Sequence, residues 1–583
     1  MADRTHPTRR RVIEGLAATG IAASVSGVAA GSTDGASPSG AIDGYLEQLS
    51  IEEKIGQLVM VTTRGLTDPH ELPPQETKTA IQNLNVGSAI IYNQTSPAYA
   101  AAYNNVLQEW AMEADPEIPL LISADFEYGS EHNIDVGGTT HPRKMGLAAS
   151  GSTDNAATSA EITAEEIRSM GFTWNFDPGA DVNTNPANPV IGIRSYGSEP
   201  ETVAEFTEAQ VEAYQDNDVL ATPKHFPGHG DTDHDSHYDL PIVTYDEATL
   251  RDVHLPPFQA AIDAGAGAIM TAHVIVEAID DQRPATLSPA VLTGLLRDEM
   301  GFDGIVVTDA MSMDAIEDHW GTSDGARMAI EAGADVIMAT GTWEDQVDTY
   351  DALYQAYSDG ELTEERIDES VRRVLEAKFE YGVMDDYLVD PEDAIATVGQ
   401  RSHRETAADL ARDGITLIYN DGVLPLDPSP NETILVAGVE DLVTIREAVE
   451  SETDATTLQL AASSHDPTPT EADNAAALAA DADVAIVQTY SQATIPDGQL
   501  AVLESVANTG TPVVGLSTGL PYDVGSYPNA VDAAIASYAI ERWQSRNATA
   551  LEAAVSVLFG AQPGGQLPVP IGDQYDVGHG ETY

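Results

Sequence analysis

Residues 301–313 read GFDGIVVTDAMSM, a short apolar run that begins at glycine and leads to Asp309. Four other runs of the same form, separated by helical patterns, lie at residues 88–92, 120–124, 268–271 and 335–338. Apolar strands that alternate with helices are typical of a parallel sheet, and in a closed barrel the functional side chains follow the carboxyl ends of the strands. The pattern predicts an α/β fold with a TIM-type (β/α)8 barrel over residues 41–383.

The remainder of the 583-residue chain predicts a second, smaller domain. The alternation loosens over residues 384–431, where acidic residues and proline are frequent, and we expect a linker that contains one helix near residues 403–413. Apolar runs resume at residues 433–436, 484–487 and 512–516. They predict an α/β sandwich domain over residues 432–583.

The N-terminus resembles an export signal. Three arginines, Arg9 to Arg11, precede a weakly apolar stretch that ends in small residues. A twin-arginine pair ahead of a mild apolar segment is typical of signals that export folded proteins. We expect a signal peptide at residues 1–30, a linker at residues 31–40 and an extracellular protein; the alternative is a disordered basic tail.

The chain is strongly acidic, with 95 Asp and Glu against 26 Lys and Arg and a net charge of −69. Nucleic-acid and anionic-membrane partners are excluded, because their binding depends on Lys and Arg contacts to phosphate groups. Beyond the N-terminus no apolar run is long enough to span a membrane. The absence of cysteine excludes disulfides, thiolate metal sites and a cysteine nucleophile.

The acidic residues are spread along the chain and only five lysines are present, a distribution that resembles proteins of salt-loving organisms. At 1 M salt the Debye length is about 3 Å, so salt screens a self-repulsion that destabilises the compact state in dilute buffer. We expect the melting temperature to be lower in dilute buffer than in molar salt. Equal melting temperatures in the two buffers, measured by circular dichroism, would contradict this expectation.

The most informative motif is the histidine loop, residues 224–237, which reads KHFPGHGDTDHDSH and holds four of the 14 histidines. Its proline and glycine residues predict a loop, and functional sites concentrate in loops. A metal site is one interpretation, but the histidines lack the helical spacing of metal ligands. The other interpretation pairs Asp235 with His237: the carboxylate accepts the proton of one ring nitrogen, and the other nitrogen gives or takes a proton. His234 is equally consistent with a structural role.

Three further residues are candidates for a site. Asp309 ends an apolar strand, where a carboxylate can attack an electrophilic carbon or stabilise a cation, although an acid at that position is also a common helix cap. Asp125 follows the apolar run at residues 120–124 and can accept hydrogen bonds from sugar hydroxyls. Arg194 lies in an Asn- and Pro-rich stretch and offers a planar donor fork for the oxygens of a ligand.

These motifs resemble glycoside hydrolase family 3, and in particular its β-N-acetylglucosaminidase branch. The matching segments follow family order: residues 49–58, Asp125 with Glu127, the stretch that ends in Arg194, and residues 224–225, 235–237, 270–274, 284–288 and 307–311. Two late segments, residues 420–426 and 564–569, resemble the second domain of longer family members.

The resemblance implies a two-step, retaining hydrolysis that releases terminal β-linked N-acetylglucosamine. Asp309 would be the nucleophile, and His237, oriented by Asp235, would act first as acid and then as base. Four residues would hold hydroxyls of the terminal sugar: Asp125, Arg194, Lys224 and His225. The implied partner is a carbohydrate, and neither a cofactor nor a metal is implied.

Residues 128–132, YGSEH, depart from the Gly-Gly and nearby Arg that commonly follow Asp-x-Glu in this branch, so the resemblance does not define that wall of the sugar site. The alternatives are a family 3 β-glucosidase or β-xylosidase, whose acid would be a Glu from another region, and a glycan-binding protein without turnover. The sequence leaves open the natural glycan and whether phosphate replaces water as the acceptor. It also leaves open whether the second domain reaches the active site or supports a homodimer.

Overall fold

The structure is a computed structural model. It describes residues 38–63, 73–492, 494–528, 530–541 and 547–583. The expected signal peptide lies outside the described residues, as does the expected linker up to residue 37. Within the described ranges no helix is both long enough and apolar enough to cross a membrane.

The described residues contain sixteen strands. In chain order they are β1 (Val59–Thr63), β2 (Ser88–Ile91), β3 (Leu121–Ala124), β4 (Trp174–Asn175), β5 (Leu220–Ala221), β6 (Ile242–Val243), β7 (Ala268–Met270), β8 (Ile275–Val276), β9 (Ile305–Val307), β10 (Ile337–Ala339), β11 (Thr416–Asn420), β12 (Thr433–Gly438), β13 (Thr456–Ala461), β14 (Val484–Thr489), β15 (Val513–Ser517) and β16 (Ala533–Ala536).

Eight of these strands close into a parallel barrel. Hydrogen-bonded pairing gives the order β10-β1-β2-β3-β4-β5, and β7 pairs with β9. One bridge, between Phe226 and Thr271, joins the chain after β5 to the end of β7, and a second, between Val307 and Val336, joins β9 to the start of β10. These two bridges complete the ring. The short strands β6 and β8 form a separate two-stranded sheet.

The alternation of side chains along each barrel strand separates two apolar cores. Ile90, Leu121 and Trp174 belong to one buried cluster that fills the barrel. Their neighbours Ala89 and Ile122 belong to a second cluster that also contains residues of the surrounding helices. Because successive side chains of a strand point to opposite faces, the barrel interior is packed, and polar side chains that act together are placed at its ends.

The described residues also form nineteen α-helices. In chain order they are α1 (Pro38–Gln48), α2 (Ile51–Gln57), α3 (Gln75–Asn83), α4 (Pro97–Met112), α5 (Lys144–Ala149), α6 (Thr153–Ser169), α7 (Pro200–Asp216), α8 (Glu247–Thr249), α9 (Pro256–Asp263), α10 (Asp314–Glu317), α11 (Thr322–Ala332), α12 (Trp343–Ser358), α13 (Glu364–Glu380), α14 (Pro391–Thr397), α15 (Arg401–Gly414), α16 (Leu442–Glu452), α17 (Pro469–Ala479), α18 (Asp497–Ala507) and α19 (Ala548–Leu558). Two π-helical segments cover Leu250–His254 and Ala290–Glu299.

Local sequence signals set several helix ends. The helices α2, α12 and α17 begin with a capping box, in which Ser50, Thr342 or Thr468 accepts a hydrogen bond from the backbone N–H three residues later. The helix α13 is amphipathic, and its Ile367 and Val371 are buried in the cluster that surrounds the barrel. The helices are therefore fixed both by their caps and by their apolar faces.

The second domain is built on one six-stranded sheet in the order β11-β16-β15-β14-β12-β13. Its strands are parallel except β11, which runs antiparallel to β16. Different apolar clusters cover the two faces, with Ile434 and Val436 in one cluster and Leu435 and Ala437 in the other. A barrel followed by a smaller α/β sandwich is the fold class that the sequence predicts, and the prediction is confirmed.

The segment predicted to be a linker, residues 384–431, contains more structure than expected. It holds two helices, α14 and α15, and the strand β11, which lies at the edge of the second sheet. The boundary predicted at residue 432 therefore falls after the first strand of that sheet. The run ITLIYN at residues 415–420 has the β-branched and aromatic residues typical of a strand, and the prediction of a linker overlooked it. The sequence also fails to predict β4 and β5, each of which has only two residues.

The second domain packs against loops at the carboxyl end of the barrel. The side-chain amide of Asn547 donates a hydrogen bond to the backbone oxygen of His141, in the loop after β3, at 2.8 Å. The amide of Asn183, in the loop after β4, donates to the Tyr522 hydroxyl at 3.1 Å. These contacts hold the second domain beside the end of the barrel where polar side chains gather.

Candidate active site

A cavity of about 810 Å³ opens at the carboxyl ends of the barrel strands. Residues that follow β3, β5, β9 and β10 contribute to its lining. It brings together six of the predicted site residues: Asp125, Arg194, Lys224, His225, His237 and Asp309. The seventh, Asp235, is hydrogen-bonded to His237. A polar cavity at this end of a parallel barrel is the expected position of an active site.

Asp309 lies just beyond β9 and is partly exposed to the cavity. Its Oδ1 atom accepts a hydrogen bond from the backbone N–H of Ala310 at 2.7 Å. Burial raises the pKa of this carboxyl, but the charges of His273, His225 and His237 outweigh burial and lower the pKa to about 2. Asp309 is therefore an ionised carboxylate at neutral pH.

His273 is a buried neighbour of Asp309 that the sequence does not single out as a site residue. Its Nδ1 atom lies 2.8 Å from the Thr286 hydroxyl, and its Nε2 atom lies 3.1 Å from the backbone oxygen of Ala310. Burial lowers the pKa of His273. His273 thus fixes the backbone beside the Asp309 carboxylate, and the signal that could have identified it is its position three residues after the end of β7.

Asp235 and His237 form the pair that the spacing predicts. The Nδ1 atom of His237 lies 2.7 Å from Oδ1 of Asp235, and the backbone N–H of His237 donates to the same oxygen at 3.0 Å. The hydrogen bond to Asp235 raises the pKa of His237, and burial only partly opposes it. The Asp235 side chain is 6% exposed, whereas the His237 side chain is 51% exposed and lines the cavity. The pair therefore presents an oriented imidazole to the cavity.

The other histidines of the histidine loop have different roles. His225 lines the cavity and its Nδ1 atom lies 2.8 Å from Oδ2 of Asp181. His229 is buried and is held by Thr232 and Ser236, so it stabilises the loop. His234 is exposed and pairs with its sequence neighbour. In the part of the chain that the structure describes, no three His, Asp or Glu side chains are arranged to hold a metal ion.

A charged cluster forms the wall of the cavity nearest β3. The Nζ atom of Lys224 lies 2.6 Å from Oδ1 of Asp125 and 2.8 Å from Oε1 of Glu127. Arg194 donates two hydrogen bonds to Glu127, from Nε at 2.9 Å and from Nη2 at 2.7 Å. Burial raises the pKa of Glu127, but Arg194 and Lys224 lower it well below its usual value. The donor fork predicted at Arg194 is therefore occupied along one edge by a carboxylate of the protein.

The stretch at residues 128–132 builds a stacked wall behind this cluster. The guanidinium of Arg143 lies 3.3 Å from the centre of the Tyr128 ring, and the His132 ring stacks on Tyr128 with 4.3 Å between ring centres. The Nδ1 atom of His132 accepts a hydrogen bond from the backbone N–H of Glu127 at 3.2 Å. Burial lowers the pKa of His132 to about 3, so the imidazole is neutral. This departure in sequence thus builds a bulky wall that presents the neutral imidazole of His132 to the cavity.

The second domain reaches the cavity through Glu541, which lies after β16. Its Oε2 atom is 3.1 Å from Nε of Arg143, and its Oε1 atom is 3.7 Å from Nε of Arg194. Burial raises the pKa of Glu541 even though both arginines oppose the shift. No motif marks Glu541 in the sequence, because its partners belong to the other domain.

Comparison with known proteins agrees with this architecture. Residues 50–377 match the glycosyl hydrolase family 3 N-terminal domain, and residues 415–581 match the family's C-terminal domain. A beta-hexosaminidase A from Pseudoalteromonas piscicida is 33% identical over 420 residues, which cover 65% of this chain and 69% of the relative. A beta-N-acetylglucosaminidase/beta-glucosidase from Cellulomonas fimi is 30% identical over 408 residues, which cover 68% of this chain and 69% of the relative.

A solved structure has the same two-domain fold. It is a glycoside hydrolase family 3 beta-N-acetylglucosaminidase from Paenibacillus sp. str. FPU-7, with a TM-score of 0.80 and 34% sequence identity. The match covers 90% of this chain and 99% of that one. With both domains matched and the polar cavity at the carboxyl end of its barrel, the chain belongs to glycosyl hydrolase family 3 and is a glycosidase.

Proposed function

We propose that this glycosidase releases terminal β-linked N-acetylglucosamine by a retaining, two-step hydrolysis. One observation carries the mechanism: a single cavity holds an ionised carboxylate, Asp309, and an imidazole, His237, that a buried carboxylate orients. The substrate class is supported by the hexosaminidase and N-acetylglucosaminidase relatives.

In the first step Asp309 attacks the anomeric carbon while His237 protonates the departing glycosidic oxygen. The low pKa of Asp309 keeps its attacking oxygen ionised. The raised pKa of His237 favours the imidazolium that gives the proton. Because Nδ1 of His237 is held by Asp235, Nε2 is the nitrogen that delivers the proton. The products of this step are the free alcohol and a glycosyl ester of Asp309.

In the second step the now neutral His237 takes a proton from water, which attacks the anomeric carbon and releases Asp309. The sugar leaves with its original anomeric configuration because the carbon has been inverted twice. Retaining enzymes commonly use two carboxyl groups for these roles. A His–Asp pair satisfies the same requirement, since one group must serve as acid and then as base.

The charged cluster supplies the groups that bind the terminal sugar in this proposal. Asp125 accepts hydrogen bonds from hydroxyls, and Lys224 and Arg194 donate to them. His225 adds a ring nitrogen, and its ring is oriented by Asp181, whose Oδ2 atom lies 2.8 Å from Nδ1 of His225. Charge-assisted hydrogen bonds are short and strong, so they suit the many hydroxyls of a sugar.

The β-glucosidase or β-xylosidase alternative needs a Glu from another region as its acid. Glu541 is the carboxylate that comes from the second domain, but its close charged partners are Arg143 and Arg194. The histidines, not Glu541, dominate the electrostatics of Asp309. The acid in this proposal is His237, which Asp235 orients and whose pKa is raised by that hydrogen bond and by the charge of Asp309.

A panel of aryl β-glycosides in molar salt, with and without phosphate, tests the substrate assignment. We expect the highest kcat/KM on the N-acetylglucosaminide, with free N-acetylglucosamine as the product. A higher kcat/KM on the glucoside or xyloside would favour the alternative within the family. Binding of all glycosides without turnover would identify a glycan-binding protein, and a sugar phosphate product would show that phosphate replaces water.

The pH dependence of kcat/KM follows from the two pKa shifts. With a pKa of about 2, Asp309 is protonated, and so inactive as a nucleophile, only far below neutral pH. The pKa of His237 is raised above the ordinary histidine value of 6.5, so His237 loses its proton, and its role as acid, only above that value. Activity on a disaccharide should therefore fall as pH rises through the His237 pKa. Asp235→Asn removes the main cause of the raised pKa, so this alkaline limb should move to lower pH.

Asp235→Asn should also lower kcat/KM on the disaccharide, but by less than His237→Ala does. Asp233→Asn is the matched control, because Asp233 is exposed in the same loop and pairs with His234. An alkaline limb that stays in place in Asp235→Asn would contradict the role of Asp235.

A further inference from the structure

Glu541 occupies an unusual position for a residue of the second domain. It follows β16 at the carboxyl edge of a mostly parallel sheet, where open α/β sheets commonly bind ligands. Its side chain is 10% exposed and lines the sugar cavity of the barrel. The second domain thus places a nearly buried carboxylate in the wall of the other domain's site.

Two arginines, Arg143 and Arg194, balance the charge of this carboxylate, but its oxygens do not receive all the hydrogen bonds they can accept. Within the described residues, Oε2 of Glu541 has no hydrogen-bond donor, although Arg143 lies 3.1 Å away. Oε1 is 3.7 Å from Nε of Arg194, which donates to Glu127 instead. Oε2 is enclosed by the protein, so Oε1 is the oxygen left for the cavity. Arg194 lies beyond hydrogen-bond distance of Oε1, and a ligand hydroxyl that fills the cavity can supply the missing donor.

We propose that Glu541 is a specificity-determining residue of the sugar site, and that its carboxylate accepts a hydrogen bond from one hydroxyl of the terminal sugar. The sugar site is then shared between the two domains, with Asp125 and Lys224 on the barrel side. This inference rests on the proposed function only in so far as the cavity binds the terminal sugar of a glycoside.

Deoxy sugars test the proposal directly. The substrates are an aryl β-N-acetylglucosaminide and its analogues that lack one hydroxyl each. A hydrogen bond to a charged group corresponds to about 10- to 100-fold in kcat/KM, so Glu541→Ala should lose that factor on the intact substrate. On one deoxy analogue the variant and the wild type should have nearly equal kcat/KM, because the hydroxyl that Glu541 contacts is already absent.

Two further variants make the result interpretable. Glu541→Gln keeps the shape and one acceptor oxygen, so it should lose less than Glu541→Ala and should serve in its place if the alanine variant does not fold. Glu552→Gln, on α19 of the same domain and outside the cavity lining, should behave as wild type. A folded Glu541 variant that loses nothing would overturn the proposal.

An equal loss on the intact substrate and on every deoxy analogue would also overturn it, because Glu541 would then act only by positioning Arg194. Failure of the proposed function appears elsewhere, as wild-type enzyme that prefers another glycoside. In that case the deoxy series is built on the preferred glycoside, and the comparison between Glu541→Ala and wild type keeps its meaning.

Discussion

Asp309→Asn should lower kcat on an aryl β-N-acetylglucosaminide by at least about 10,000-fold while the protein stays folded. The amide has the shape of the carboxylate and can still accept the hydrogen bond from the backbone N–H of Ala310. It carries no charge and does not form the glycosyl ester that the first step requires. The loss should be equally severe for every leaving group, because each substrate needs the same nucleophile.

The control for Asp309→Asn is Asp303→Asn, an exposed acid just before β9. That variant should keep the kcat of the wild type. Circular dichroism and melting temperature show whether the Asp309 variant is folded. Normal kcat in Asp309→Asn would remove Asp309 from the mechanism.

His237→Ala should show a loss that depends on the leaving group. A nitrophenolate departs with little help, whereas the alkoxide of a sugar departs only when its oxygen is protonated. Kcat/KM on a disaccharide should therefore fall by about 100- to 10,000-fold, the usual contribution of general acid catalysis. On a nitrophenyl glycoside the fall in kcat/KM should be far smaller.

His234→Ala is the matched control, because His234 is exposed in the same histidine loop and lies outside the cavity lining. It should leave both substrates unaffected. If His237 instead held a metal, a chelator would abolish activity and added metal would restore it. Equal losses on both substrates in a folded His237→Ala variant would refute the acid/base role.

The fold and the positions of the candidate site residues could be predicted because their signals are local. Asp309 ends a continuous apolar run, and Asp235 and His237 lie two positions apart in a loop rich in Gly and Pro. In a parallel barrel all strand ends converge on one face, so polar residues that are remote in sequence, such as Asp125 and Lys224, are brought within 2.6 Å. The family resemblance then connected these residues to one chemistry.

The other features of the site and the fold depend on contacts between distant parts of the chain, which the sequence does not show. Glu541 enters the cavity through the packing of two domains, and its arginine partners lie hundreds of residues earlier in the chain. The edge strand β11 forms by pairing with β16, which the segment around β11 does not reveal. Tyr128 stacks on both Arg143 and His132 in a stretch whose sequence departs from the family motif, so only the side-chain geometry defines that wall.

The most direct test of the two-step mechanism is to trap the glycosyl-enzyme in His237→Ala. A dinitrophenyl β-N-acetylglucosaminide should glycosylate Asp309 without an acid, whereas attack by water lacks its base, so the intermediate should accumulate. Intact mass spectrometry followed by peptide mapping should find one added N-acetylglucosaminyl group, attached to Asp309. An adduct on a different residue, or turnover of this substrate at the wild-type rate without any adduct, would contradict the mechanism.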